Sequence, residues 1–162
     1  MIIIDYDRIS AINYAKTWAK ARNPEYYDFS TIGGDCTNYV SQCVYAGCKT
    51  MNYTPITGWY YVSLNNRTAS WTSVEYFYNF IVKNKGLGPF GKLINFNELQ
   101  IGDVVQLGDE YGDFFHAPFV CGFNGNTPLF SAHSRDVYGV PISFFRYNTL
   151  RCIQITGVRV QN

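Results

Sequence analysis

The order of the hydrophobic patterns along the chain is the strongest constraint on its fold. Apolar residues recur at helical spacing in the first half, over residues 7–22, 36–46 and 71–84. From residue 102 the pattern changes to short β-rich runs separated by Gly, Asn or Pro turns, at 102–107, 116–123, 128–134 and 152–160. Helices followed by an antiparallel sheet are typical of an α+β fold. Since the 162 residues contain no internal repeat or linker, we expect one domain, residues 1–162.

The ends of these elements also carry signals. Asp7 and Asp35 are of the type that caps a helix start, so each is expected to precede a helix. Gly47 is expected to end the second helix in the left-handed conformation that glycine adopts readily. Residues 49–70 lack clear periodicity and are expected to form a long loop with one short strand. The core-facing side of the second helix is expected to carry Tyr39, Val40, Cys43 and Val44.

Charge and hydropathy exclude several classes of function. A formal net charge of +1 gives no general attraction to nucleic acid or to anionic membranes. The sequence has no run near the ~20 apolar residues that a membrane-spanning helix needs. We therefore expect a protein without nucleic-acid partners or a membrane span. It would be secreted or associated with the cell wall if it is part of a longer chain, and cytoplasmic if it is complete.

The five cysteines are spaced unlike those of a disulfide framework or a zinc site. Their number is odd, and no two are arranged as Cys-x-x-Cys. Cys121 and Cys152 fall within β-rich runs and are expected in the core. We expect neither a metal nor an organic cofactor, and at least one free thiol.

The segment "GGDCTNYVSQC", residues 33–43, places Cys36 in the first turn of a helix. Unpaired backbone N–H groups at a helix start favour a thiolate, the reactive form of cysteine. The neighbouring carboxylate of Asp35 opposes that ionisation, so a positively charged partner is required, and histidine is the usual one. An inert, buried thiol is the alternative interpretation of Cys36.

The two histidines of the chain both lie in the strand-rich half. His116 opens one β-rich run and His133 ends the next, and the turn "NGNT" between the runs predicts a hairpin. The hairpin brings the two rings together only if the strand register permits it. Ordinary strand-end histidines are the alternative.

Taken together, these segments resemble the putative amidase domain family of the papain-like superfamily, which includes NlpC-type cell-wall peptidases and cysteine/histidine-dependent amidohydrolases. The resemblance rests on "YDRISAINYAKTWAKARNPEYYDF", "GGDCTNYVSQCVYAG", "GDVVQL", "HAPFVCGF" and "FSAHS". It implies a papain-like fold, in which N-terminal helices, including the one that begins at Cys36, pack on a small antiparallel sheet.

The resemblance also implies residue roles. Cys36 is similar to the nucleophile and His116 to the general base and acid, while His133 matches the polar residue that orients the imidazole. Ser131, Ser134 and Asp136 are alternatives for that third role. The oxyanion and substrate-binding side would involve the Cys36 backbone N–H, Asp35, and either Tyr26 or Tyr27.

The expected activity is therefore hydrolysis of an amide bond in a peptide, with bacterial cell-wall peptidoglycan as the substrate that the resemblance favours. The expected mechanism uses a thiolate–imidazolium pair and a thioester intermediate. Two alternatives remain. The chain is rich in aromatic residues, with 14 Tyr, 12 Phe and 3 Trp, so an aromatic groove could bind glycan or peptide without cleavage. A transferase would pass the acyl group to an amine instead of water.

Overall fold

Four helices and ten strands make up the fold in the computed structural model, which describes residues 1–162. The helices are α1 (Arg8–Trp18), α2 (Cys36–Cys48), α3 (Ala69–Thr72) and α4 (Val74–Lys83). The strands are β1 (Ile2–Ile4), β2 (Tyr61–Ser63), β3 (Asn66–Arg67), β4 (Gly88–Ile94), β5 (Val104–Gly108), β6 (Phe114–His116), β7 (Phe119–Asn124), β8 (Thr127–Ala132), β9 (Val137–Val140) and β10 (Thr149–Val160). Two single 3₁₀ turns, Phe96–Glu98 and Ile142–Phe144, lie between strands.

Eight of the strands form one antiparallel sheet in the order β1-β10-β5-β7-β8-β9, while β4 also pairs with β10 and β6 with β5. The remaining two, β2 and β3, form a separate ribbon within the segment expected to be a loop. The α+β class with an antiparallel sheet is thus confirmed. The sheet is larger than the small one expected, because β1, β4 and β9 had no clear strand pattern.

The expected hairpin between the two histidine-bearing runs is present as β7 and β8, with Phe119 opposite Ser131. Its first run is divided, however, because β6 ends at His116 and β7 begins only at Phe119. Pro118 stands between them and has no N–H to donate to a sheet ladder. Both pieces pair with β5, so His116 lies opposite Leu107 and Phe119 opposite Val104.

The helix ends agree only in part with the predictions. The side chain of Asp7 accepts a hydrogen bond from the Ser10 N–H at 3.0 Å, which confirms it as an N-cap. Helix α2 does begin after Asp35, but the Asp35 carboxylate makes no capping bond, so that part of the prediction is wrong. The C-cap prediction for Gly47 is also wrong, because α2 continues to Cys48 and Lys49 takes the left-handed conformation at φ 52°.

Gly47 has a different reason to be glycine. A Cβ at this position would lie 2.5 Å from a ring carbon of Tyr6 and 2.6 Å from the carbonyl oxygen of Asp7. Helix α2 therefore approaches the start of α1 too closely for a side chain. The predicted helix over 71–84 is likewise interrupted, since Ser73 is extended and separates α3 from α4.

Helix α2 is the central packing element. The four side chains expected on its core face, those of Tyr39, Val40, Cys43 and Val44, are all fully buried, as predicted. They belong to a cluster of 25 buried residues that also includes Val104, Phe119 and Ile153 of the sheet. Cys152 and Cys121 are buried as well, as predicted.

The opposite face of the sheet has a smaller core of its own. It contains six buried residues, Leu99, Val105, Leu107, Val120, Phe130 and Cys152. Neighbouring residues of a strand point to opposite faces, so Val104 and Val105 enter different cores. The sheet is thus covered on both sides by buried residues.

Candidate active site

Cys36 is the first residue of α2, and its side chain is only 7% exposed. Its Sγ lies 3.9 Å from Oγ1 of Thr37. Burial raises the pKa of the Cys36 thiol, while hydrogen bonds from Thr37 and from the backbone N–H of Ala117 oppose that rise. The negative charge of Asp35 adds to it. The Ala117 hydrogen bond indicates that the segment after His116 lies close to the thiol.

His116 is the last residue of β6 and is half-buried. Its ring packs against that of Phe145, with 5.5 Å between the ring centroids. Burial lowers the pKa of His116 to about 4, and no hydrogen bond from the protein offsets this. The imidazole is therefore neutral at neutral pH.

No hydrogen bond joins the imidazole of His116 to the thiol of Cys36, although Ala117 connects their surroundings. Burial acts on both groups in the direction of their neutral forms, because it penalises a charged thiolate and a charged imidazolium alike. These pKa shifts thus favour a neutral thiol and a neutral imidazole before substrate binds, whereas the sequence analysis predicts an ion pair.

His133 lies directly after β8, is 1% exposed and is fully occupied by other partners. Its Nδ1 is 2.6 Å from Oδ2 of Asp35, and its Nε2 is 2.8 Å from the carbonyl oxygen of Trp18. Its ring also stacks on Tyr39 of α2, with centroids 4.1 Å apart. His133 thus contacts the residue before Cys36, and no hydrogen bond connects it to His116.

Asp35 is completely buried, and this explains why it does not cap the helix. Its Oδ1 accepts hydrogen bonds from the backbone N–H of Phe29 at 2.8 Å and from Nδ2 of Asn38 at 3.0 Å. With His133 on Oδ2, the carboxylate ties the 27–30 loop, helix α2 and the end of β8 together. Asp35 therefore holds the loop that presents Cys36.

Arg22, which the sequence analysis did not single out, joins the same cluster. Its guanidinium forms two hydrogen bonds to the Asp136 carboxylate, at 2.9 and 3.0 Å, and one to Asp28 at 3.2 Å. It also lies 3.6 Å from Oδ2 of Asp35 and 3.2 Å from Nε2 of His133. No local motif marks this residue, because its partners are up to 114 residues away in the chain.

The three alternatives for the third catalytic role are located differently. Ser131 is buried, and its hydroxyl forms a hydrogen bond with the Tyr39 hydroxyl at 2.8 Å. Asp136 is engaged by Arg22. Only Ser134 lies in the same cleft as His116.

The two tyrosines expected near the oxyanion have different surroundings. The Tyr26 ring is half-buried between Tyr61 and Trp71, at centroid distances of 5.0 and 6.0 Å, and burial raises the pKa of its hydroxyl. The Tyr27 side chain is 40% exposed and packs edge-on against Phe29. The backbone of Tyr27 is fixed more firmly, since its carbonyl oxygen accepts a hydrogen bond from Asn38 at 2.9 Å.

A cleft of about 400 Å³ opens beside His116. The other residues that line it are three phenylalanines, one serine and two arginines: Phe115, Ser134, Arg135, Phe144, Phe145 and Arg146. Neither in this cleft nor in the rest of the molecule is a group of three or more His, Cys, Asp or Glu side chains arranged to hold a metal ion. None of the helices combines the length and apolar character that crossing a bilayer requires.

Comparison with known proteins defines the class. Residues 5–156 match the family described as "Putative amidase domain", and the chain belongs to that family. The family's description names an amidase, which is a hydrolase of amide bonds. No solved structure matches the chain.

The chain is also 33% identical over 135 residues to "Uncharacterized protein YhbB" of Bacillus subtilis (strain 168). The alignment covers 81% of this chain but 42% of that relative. The chain therefore spans less than half the length of the curated relative that it matches.

Proposed function

We propose that the protein is a cysteine-dependent amidohydrolase of the papain-like superfamily that cleaves an amide bond in a peptide, and that bacterial cell-wall peptide is its substrate. Membership of the amidase family supports the reaction class. The observation that carries the cysteine mechanism is the meeting of the Cys36 thiol with the backbone N–H of Ala117, next to His116. This hydrogen bond supports a shared site for Cys36, as the nucleophile, and His116, as the candidate base.

The proposed reaction starts from neutral groups. The sulfur of Cys36 attacks the amide carbon as its proton passes to the neutral imidazole of His116, so the charged pair exists only once substrate has bound. The Cys36 backbone N–H, one of the unpaired donors at a helix start, stabilises the oxyanion that forms. The Ala117 N–H stabilises negative charge on the sulfur.

The remaining steps return the protein to its starting state. The imidazolium gives its proton to the departing amine as the carbon–nitrogen bond breaks, which leaves a thioester. Water then attacks the thioester while His116 takes one of its protons; as the carbon–sulfur bond breaks, the imidazolium returns that proton to the sulfur and restores the Cys36 thiol. In this scheme His133 and Asp35 are positioning residues, because they hold the loop before Cys36.

Hydrolysis of purified muropeptides and N-acylated peptides, followed by mass spectrometry, tests this function. Cys36→Ala should abolish product formation, whereas Cys48→Ala, a buried cysteine at the other end of α2, should leave it unchanged. Adding hydroxylamine separates hydrolysis from acyl transfer, since a transferase would form mainly the hydroxamate. Undiminished cleavage by the Cys36→Ala protein would overturn the cysteine mechanism.

A further inference from the structure

The cleft beside His116 combines aromatic rings with positive charge. Phe115, Phe144 and Phe145 supply apolar surface, and Arg135 and Arg146 supply two guanidinium groups. The guanidinium of Arg135 lies over the Phe144 ring, 4.9 Å from its centroid. No aspartate or glutamate lines the cleft, so its charge is not balanced locally.

These two arginines differ from the others in the chain. The sequence has seven arginines, and five of them donate hydrogen bonds to carboxylates, carbonyl oxygens or side chains of the protein: Arg8, Arg22, Arg67, Arg151 and Arg159. Arg135 and Arg146 make no hydrogen bond and no ion pair. The carboxylate nearest to Arg135 in sequence, that of Asp136, is held by both terminal nitrogens of Arg22.

Two observations relate the cleft to the surroundings of Cys36. Ala117 follows the cleft residue His116, and a hydrogen bond from its backbone N–H lowers the pKa of the Cys36 thiol. On the other side, the Oγ of Ser134 would lie 3.7 Å from a Cβ placed on Gly34, two residues before Cys36. Two cleft residues, His116 and Ser134, thus adjoin segments that lie near Cys36.

We propose that Arg135 and Arg146 bind a free carboxylate of the substrate, so that the protein acts on peptides that carry a carboxylate close to the amide bond that is cleaved. A guanidinium presents two parallel N–H groups that match the two oxygens of a carboxylate. The phenylalanine rings would pack against the apolar part of the same substrate residue. This inference rests on the proposed function, since that function places the reacting amide at Cys36.

Binding to the catalytically inactive Cys36→Ala protein tests the inference without requiring turnover. The probes are N-acetyl-alanyl-alanine and its C-terminal amide, which differ only in the presence of the carboxylate, titrated at millimolar concentration and followed by NMR chemical shifts. The acid should bind about tenfold more tightly than the amide, because only the acid forms charged hydrogen bonds. Added salt should weaken binding of the acid alone.

Substitutions test whether the preference for the acid depends on the two cleft arginines. Arg135→Gln and Arg146→Gln, each introduced into the Cys36→Ala protein, should remove most of the preference for the acid. Arg159→Gln is the matched control, since that arginine is bonded to the Asn84 carbonyl oxygen and lies outside the cleft, and it should change nothing.

Three results would overturn the inference: equal binding of acid and amide, no binding of either, or a preference for the acid that survives both cleft substitutions. Competition by sulfate as strong as by the peptide acid would also overturn it, because it would reveal a general anion site.

Failure of the proposed function is a separate result. It would appear as no cleavage by the unsubstituted protein, and a retained preference for the acid would then still support the carboxylate site.

Discussion

His133 and Asp35 form a buried pair across 98 residues of sequence, with Nδ1 of the imidazole 2.6 Å from Oδ2 of the carboxylate. Both side chains are withdrawn from solvent, at 1% and 0% exposure. The pair joins the end of β8 to the loop that precedes Cys36. The position of Cys36 thus depends on a contact made in the protein interior, away from the cleft.

Replacing Asp35 should therefore damage stability as well as activity. Asp35→Ala leaves His133 and the Phe29 N–H without their buried acceptor, and we expect a loss of about 3–5 kcal/mol in the free energy of unfolding. The control is Asp28→Ala, because the Asp28 side chain also contacts Arg22 but is 49% exposed, and it should cost about 0–1 kcal/mol. Urea denaturation measures both, and equal losses would contradict a structural role for Asp35.

One helix and the central strands of the sheet were predictable from the local sequence pattern. Helix α2 and its buried face follow from apolar residues at helical spacing, and β5, β7, β8 and most of β10 follow from β-rich runs between turns. Strand β4 was missed because its sequence, "GPFGKLI", contains the Gly and Pro residues that normally indicate a turn. It is stabilised instead by pairing with β10, a contact between distant parts of the chain.

The helix start at Cys36 was predictable from the sequence, but the arrangement of the residues around it was not. Cys36 at a helix start is a local feature, and it was recognised as such. The partners of Asp35 depend on strand register and on the path of the 19–35 segment, which no local pattern encodes. For the same reason, the sequence suggested Asp35 as a helix cap, whereas the structure buries its carboxylate under Arg22 and His133.

The two histidines should respond differently to truncation. We expect His116→Ala to lower kcat by about 10²–10⁴-fold, the range typical of a lost general base, at a cost in stability of about 1 kcal/mol. His133→Ala should lower kcat less but cost about 3 kcal/mol in stability, because it leaves the Asp35 carboxylate buried without its partner. Kinetics and urea denaturation of each variant provide the two measurements. A larger loss of kcat in His133→Ala than in His116→Ala would indicate that His133, and not His116, acts as the general base.

Reactivity of Cys36 should depend on pH in the manner of a buried thiol. Iodoacetamide reacts with thiolate, and burial raises the pKa of Cys36 above that of an ordinary thiol. Labelling should therefore be slow at pH 6 and keep increasing through pH 9, since the thiolate fraction grows as the pH approaches the raised pKa. Peptide mapping by mass spectrometry gives the rate at this site.

The variant His116→Gln is the control for that experiment. If His116 is neutral in the resting protein, its replacement should leave the pH profile of Cys36 labelling unchanged. A plateau of rapid labelling between pH 6 and 8 that disappears in His116→Gln would instead demonstrate a preformed thiolate–imidazolium pair, and it would contradict the neutral starting state.

The last prediction concerns the two residues at the end of α2. Alanine usually replaces a glycine inside a helix with a gain of about 1 kcal/mol, but Gly47→Ala should cost about 1–3 kcal/mol, because the new methyl group would meet the Tyr6 ring and the Asp7 carbonyl oxygen. Lys49→Gly should have the opposite sign and gain up to about 1 kcal/mol, since Lys49 adopts φ 52°, where a side chain is strained. Thermal and urea denaturation of the two variants measure these changes. If Gly47→Ala were stabilising, the close approach of α2 to the start of α1 could not exist as described; if Lys49→Gly were destabilising, the left-handed end of the helix would be in error.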